Sequence, residues 1–239
     1  MKRLGLITTA LYLDLEMNCS DELHPSLNTS DPEIIEIGIC RLDVPSLRIA
    51  HETNYLVRPL HLDISLRCTA ITGLTTGDLK SAPSFKDVLA SIRRDWPANA
   101  TCFAWGKDGD ILERACREHH LNLPFRHFLD LSQVVRSALL LEQQPGVQSA
   151  MELLGLSTEG GAHMAVIDAR NTARIHAELI RRCRAERTTN ASIDQNSPSS
   201  SPTWFGQLLE KSLEARNSPS AHGSKVQISF DQISGGAHD

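Results

Sequence analysis

Paired cysteines are the first thing this sequence lacks. Six cysteines (Cys19, Cys40, Cys68, Cys102, Cys116 and Cys183) are scattered over 239 residues without one C-x-x-C spacing, which removes the usual signature of a zinc ribbon or dithiol redox centre. Several fall inside apolar strand or helix patterns, where a thiol behaves as a small hydrophobe, so all are read as reduced and inert in a cytoplasmic protein. No run approaches the roughly 20 apolar residues that a membrane-spanning helix needs, so no membrane association is expected. Met1-Lys2-Arg3 followed by Leu4 to Leu13 superficially resembles a signal peptide, but no small-residue cleavage site follows and the apolar run leads straight into Asp14. Secretion is not expected. Positive charge is also scarce: the formal balance is −5, and residues 1–187 carry 21 Lys and Arg against 24 Asp and Glu, or −3. That excludes a long basic groove for duplex nucleic acid.

What is present is enough for one core. A hydrophobic fraction of 41% over this length is ordinary for a globular domain. Alternation predicts strands near 10–16, 34–43 and 47–57, punctuated by Asp31-Pro32 and Val44-Pro45-Ser46, with a polar insertion from Asn18 to Ser30. Ser84-Phe85-Lys86-Asp87 has capping-box spacing and opens a helix over 84–95. Strands at 101–105 and 128–131 then alternate with helices over 108–119, 132–141, 147–154 (stopped by Gly155) and 167–187. Three antiparallel strands followed by parallel βα units make an α/β fold, a mixed sheet flanked by helices.

After residue 187 the composition turns to Ser, Thr, Asn and Pro, which cannot bury enough apolar surface to fold. Residues 188–239 are therefore read as a mostly disordered tail. Within it Trp204, Phe205, Leu208, Leu209 and Leu213 form an apolar stripe, a short amphipathic helix over 203–215 that either packs loosely or docks a protein partner.

The chemistry sits in five side chains. In Ala10-Leu11-Tyr12-Leu13-Asp14-Leu15-Glu16-Met17 three leucines alternate with the acids, so Asp14 and Glu16 share one strand face. An acid pair at this spacing is commonly just a solvated edge. Here, however, the strand is expected to be central, where charges need partners. Carboxylates ~4 Å apart repel by roughly 4 kcal/mol at an effective dielectric of about 20, so clustered acids must be protonated or neutralised by cations. Asp108 follows the strand at 101–105, with Asp110 as a nearby competitor. His163 follows Gly160-Gly161 and precedes Asp168 by five residues. The series Asp-x-Glu, Asp, His-x-x-x-x-Asp has the content of a two-metal phosphodiesterase. Oxygen ligands favour two Mg²⁺ or Mn²⁺ ions over zinc. With such ions the domain turns slightly positive, which suits a pocket for a short single-stranded end.

The same series resembles the DEDDh group of DnaQ-like 3′→5′ exonucleases, nearest the branch of small-RNA and histone-mRNA exonucleases. The likeness runs over about residues 9–183 and takes in Ile34-Ile35-Glu36-Ile37-Gly38, Val57-Arg58-Pro59, Cys68-Thr69-Ala70-Ile71-Thr72-Gly73-Leu74, Trp105-Gly106 and Asp168-Ala169-Arg170-Asn171. It implies a ribonuclease H-like fold. It also implies that Asp14, Glu16 and Asp168 hold one metal, that Asp14 and Asp108 serve a second, and that His163 is the general base. The implied activity is stepwise hydrolysis of single-stranded RNA or DNA from its 3′ end to nucleoside 5′-monophosphates. Thr72, Gly73 and Leu74 match a turn that in this family lies against the terminal nucleotide; a plain surface turn is the equal alternative. Met17 stands where the family often has a small residue or threonine, and is grouped with these as substrate-binding. The rival functions are a proofreading-type subunit that docks on a replication protein through Trp204–Leu213, and a non-catalytic nucleic-acid-binding module.

Overall fold

A computed structural model describes residues 7–18, 32–61, 63–160 and 163–192. The Trp204–Leu213 stripe and most of the insertion after Asn18 lie outside the described residues. The sheet contains β1 (Thr9–Met17), β2 (Ile34–Asp43), β3 (Arg48–Leu56), β4 (Thr101–Ala104) and β5 (Phe128–Asp130), in the order β3-β2-β1-β4-β5. The first three strands pair antiparallel and β4 and β5 add in parallel, as the alternation predicts. β1 is central.

Both faces of β1 are covered. Leu11, Leu13 and Leu15, with Ile37 and Ile39 of β2, pack against α3 (Phe85–Asp95) and α4 (Asp108–Glu118). The other face carries Ala10 and Tyr12, packed with Phe103 under α5 (Leu131–Ala138), α6 (Val147–Leu154) and α7 (Ala165–Ser192). That second face passes from apolar Tyr12 to Asp14 and Glu16 within one turn of the pleat. Burial on both sides explains why so few charges interrupt the strand.

Two short helices carry no clear sequence pattern of their own. α1 (Leu66–Thr72) and α2 (Thr76–Lys80) flank Gly73, a left-handed C-cap with φ 75°. The reciprocal capping box forms at Thr75 and Asp78. At Ser84, Oγ accepts from the Asp87 N–H (3.3 Å) and donates to the Asp87 carboxylate (2.6 Å). α7 begins at Ala165, before the expected start, and continues to Ser192. Its start has no Ser, Thr, Asp or Asn cap next to it in sequence; the Ala165 N–H is taken by Glu36 from across the sheet, which local pattern does not register.

Candidate active site

Three elements end at one place. β1 presents Asp14 opposite Gly38 and Glu16 opposite Glu36. β4 lies parallel to β1 with Leu13 opposite Ala104, so the chain leaving β4 turns through Trp105 and Gly106 (φ 67°) and enters α4 with Asp108 in its first turn. α7 places Asp168 in its own first turn. Asp14, Glu16, Asp108, Asp168 and His163 all line one cavity of about 590 Å³. Asp110, by contrast, is exposed and outside that lining.

Oxygens of Asp14, Glu16 and Asp168 lie within 4.8 Å of one another. No Lys or Arg lines the cavity among the described residues, so the cluster has no built-in counter-charge. Burial, then the neighbouring Asp108, Asp168, Glu16 and Glu36, hold Asp14 well above the ordinary carboxylate range. Burial together with Asp168, Glu36 and Asp108 pushes Glu16 up to about 8. Asp108 is pushed up to about 7, chiefly by burial, against the lowering effect of hydrogen bonds from the Leu15 N–H and from Asp14. Asp168 is raised as well, again by burial first. Acids in this state take up protons or bind cations. An oxygen-only set of this kind fits a hard divalent cation.

His163 stands at the mouth. Its backbone is left-handed (φ 66°) and its N–H donates to Asp168 Oδ2 (2.9 Å). Its ring Nδ1 lies 4.0 Å from Glu16 Oε1, and the side chain is 57% exposed. An imidazole held there faces both the acid cluster and solvent.

Several residues in or behind the lining have no role assigned from the sequence, although Glu36, Trp105 and Asn171 stand in motifs that carry the resemblance. Asn171 follows Asp168 by three positions and so shares its helix face; it is buried and lines the cavity. Trp105 is fixed by its ring N–H on the Pro145 carbonyl (3.0 Å). Gln148 and Thr158 also contribute to the wall and carry no sequence signal. Glu36, buried at 3% exposure, sits behind the cluster; its parity with Gly38 on β2 is the available clue.

Met17, Thr72, Gly73 and Leu74 lie outside this cavity's lining. Thr72 points inward, donating to the Cys68 carbonyl (2.9 Å) and accepting from the Leu74 N–H (3.1 Å). The Cys68 thiol donates to the Met17 carbonyl (3.6 Å), which ties α1 to the end of β1. Met17 itself packs on the leucine-side core and lines a second cavity.

An exonuclease family model, RNase_T, matches residues 11–176. The chain belongs to the exonuclease family. The match spans the acid and histidine series that carries the DEDDh resemblance in the sequence. It is 28% identical over 198 residues to ERI1 exoribonuclease 2 of Danio rerio, covering 71% of this chain and 34% of that protein. It is 26% identical over 187 residues to ERI1 exoribonuclease 3 of Mus musculus, covering 71% and 52%. The chain thus spans about a third to half the length of these curated relatives. In solved structures the fold recurs in the nuclease domain of 3′hExo, a DEDDh family member, bound to rAMP (TM-score 0.62, 21% identity, 73% of this chain and 92% of that one). It recurs too in cell-death related nuclease 4 (TM-score 0.61, 18% identity, 87% and 78%). The exonuclease domain therefore has the ribonuclease H-like fold that the resemblance implies.

Proposed function

We propose that this chain is a divalent-metal-dependent 3′→5′ exonuclease that shortens single-stranded RNA or DNA, releasing nucleoside 5′-monophosphates. The observation that carries this reading is the convergence of Asp14, Glu16, Asp108, Asp168 and His163 on one cavity without a Lys or Arg in its described lining. RNA is favoured over DNA because the similar proteins from Danio rerio and Mus musculus are named exoribonucleases. The buried thiols of Cys40, Cys68, Cys102 and Cys116 suit a reducing, cytoplasmic setting.

Asp14, Glu16 and Asp168 would hold one ion, and Asp14 with Asp108 would serve a second. Two divalent ions so held would lower the pKa of water and would offset the charge that builds on the phosphoryl oxygens. The protein's own groups do the rest. His163 takes the proton that water gives up as its oxygen adds to the terminal phosphorus. The bond from phosphorus to the 3′ oxygen of the preceding nucleotide breaks, and that oxygen takes up a proton from solvent to leave a 3′-hydroxyl on the shortened strand. Trp105 and Val147 offer an apolar wall on which the terminal nucleoside can pack.

The test uses matched 5′-labelled RNA and DNA oligomers with and without Mn²⁺. A ladder shortening from the 3′ end, nearly abolished by Asp14→Asn and by His163→Ala, is the expected result. Internal cuts, or hydrolysis indifferent to both variants, would overturn the reading.

A further inference from the structure

Both carboxylate oxygens of Glu36, the acid behind the cluster, are occupied. Oε2 accepts from the Ala165 N–H at 3.0 Å and Oε1 accepts from Asn54 Nδ2 at 2.5 Å. Glu36 stands directly opposite Glu16 in the β1–β2 register, a like-charge placement that would ordinarily be unfavourable. These two donors hold the carboxylate toward the helix.

What Glu36 holds is the part of α7 that carries the site. Ala165 precedes Asp168 by about one helical turn, and the Ile167 and Asp168 N–H groups both bond to the Met164 carbonyl (2.8 and 3.0 Å). Asp168 in turn accepts the His163 N–H. Displacing Ala165 therefore moves Asp168 and His163 together. The helix start is also pressed onto the sheet: a Cβ built on Gly38 would lie 2.0 Å from the Ala165 carbonyl carbon. Gly38 is the residue opposite Asn54 in the β2–β3 register, and its bare face leaves the Asn54 amide room to reach across to Glu36. Further along the same face of β3, Glu52 accepts from Arg170 Nε (2.7 Å), a second tie between β3 and the next turn of α7.

We propose that Glu36 and Asn54 are positioning residues for the metal-binding centre: the Asn54–Glu36–Ala165 chain of hydrogen bonds sets where Asp168 and His163 sit relative to Asp14 and Glu16. This inference rests on the exonuclease reading above. Neither residue belongs to the lining of the acid cavity. Asn54 is exposed, two strands from β1, and lines neither cavity, so the proposal assigns it an effect that proximity alone does not suggest.

Glu36→Ala removes a buried cap and is prone to unfold the domain, so the decisive variant is Asn54→Asp. Its carboxylate faces Glu36 with no proton to give and pushes it off Ala165. The double variant Glu36→Gln, Asn54→Asp reverses the polarity of that bond: the new amide at position 36 donates to the new carboxylate at position 54, while its oxygen still accepts from Ala165. Mn²⁺ affinity is measured by calorimetry on the full chain without nucleic acid, well below the melting temperature of every variant, beside kcat and KM on an RNA oligomer. N54D should weaken Mn²⁺ by about 10-fold or more, the scale on which groups that orient metal ligands act. It should lower kcat with little change in KM, and the double variant should recover most of both. An added negative charge would by itself draw a cation in, so weakening in N54D reports geometry and not field. Mn²⁺ binding in N54D as tight as in the wild type, or a double variant no better than N54D, overturns the proposal while leaving the exonuclease reading intact. Wild-type protein that binds no Mn²⁺ and cuts no oligomer overturns both.

Discussion

Glu16 and Met17 are neighbours in β1, yet they open onto different cavities of nearly equal size, about 590 and about 550 Å³. The first gathers four acids and His163 with no Lys or Arg in its described lining. The second brings Arg58, Lys86 and Arg114 together with Glu33 and Glu118. There the acids are engaged: Glu33 accepts from the Leu60 and His61 N–H groups (2.7 and 3.0 Å), and Glu118 lies 3.8 Å from Arg114. Volume does not distinguish the two. Charge without counter-charge does, because a buried acid cluster stores an unfavourable interaction that a cation relieves. The sharpest way to break the contrast is Asp14→Asn. Hydrolysis of a labelled oligomer should fall by at least about 10³-fold, the scale of losing a group that stabilises developing charge; a loss under about tenfold would mean that the chemistry lies elsewhere.

One wall of the acid cavity is α7, whose start lies close against β2 at Gly38, whereas the second cavity is lined by α3, α4 and the segment after β3. Gly38→Ala tests that difference. Its new Cβ would meet backbone of Ala165 and Val166 at 2.0–2.2 Å, and backbone cannot rotate away as a side-chain tip can. The cost is about 1–3 kcal/mol or more, read as a lower denaturation midpoint, together with weaker Mn²⁺ binding. Wild-type stability in this variant would show that α7 can shift on the sheet without penalty.

Gly38 also marks where sequence reading stops. The alternation of Leu11, Leu13 and Leu15 against Asp14 and Glu16 is enough to place both acids on one face of a central strand, and the switch from antiparallel strands to βα units implies the mixed sheet. Those are local patterns, period 2 and period 3.6. The motif containing Glu36 and Gly38 is visible, but the reasons for both residues lie far downstream in the chain, at Ala165. The start of α7 differs from its expected place for the same reason, since its cap comes from another strand. Gln148 and Thr158 enter the cavity only through the way α6 and the following loop pack. Contacts made by tertiary approach leave no periodic trace.

A smaller effect separates the cavities by pH. Glu16, pushed up to about 8, and Asp108, pushed up to about 7, hold protons in the folded state that the unfolded chain releases near pH 4. Between those limits the native state binds more protons, so metal-free stability contributed by these groups falls as pH rises from about 4 to about 8. A divalent ion competes with the protons and binds better as they leave. The rise in melting temperature on adding Mn²⁺ should therefore be larger at about pH 8 than at about pH 5.5, and absent in Asp14→Asn. An equal rise at both pH values, or one that persists in the variant, would assign the ion to some other surface.

The smallest effect is expected in the second cavity. Lys86 is an exposed side chain near the start of α3, and the cavity around it holds three basic residues against two acids. Such a near balance leaves little unrelieved charge, and exposed substitutions of this kind usually act within about 0.5 kcal/mol, or about twofold in a rate or affinity. Lys86→Ala should leave kcat, the 3′-end ladder and the Mn²⁺-dependent melting shift within that range. A KM several-fold higher, with kcat unchanged and the difference vanishing at high salt, would instead mean that the strand continues past Met17 into this cavity, and that the two spaces form one substrate path.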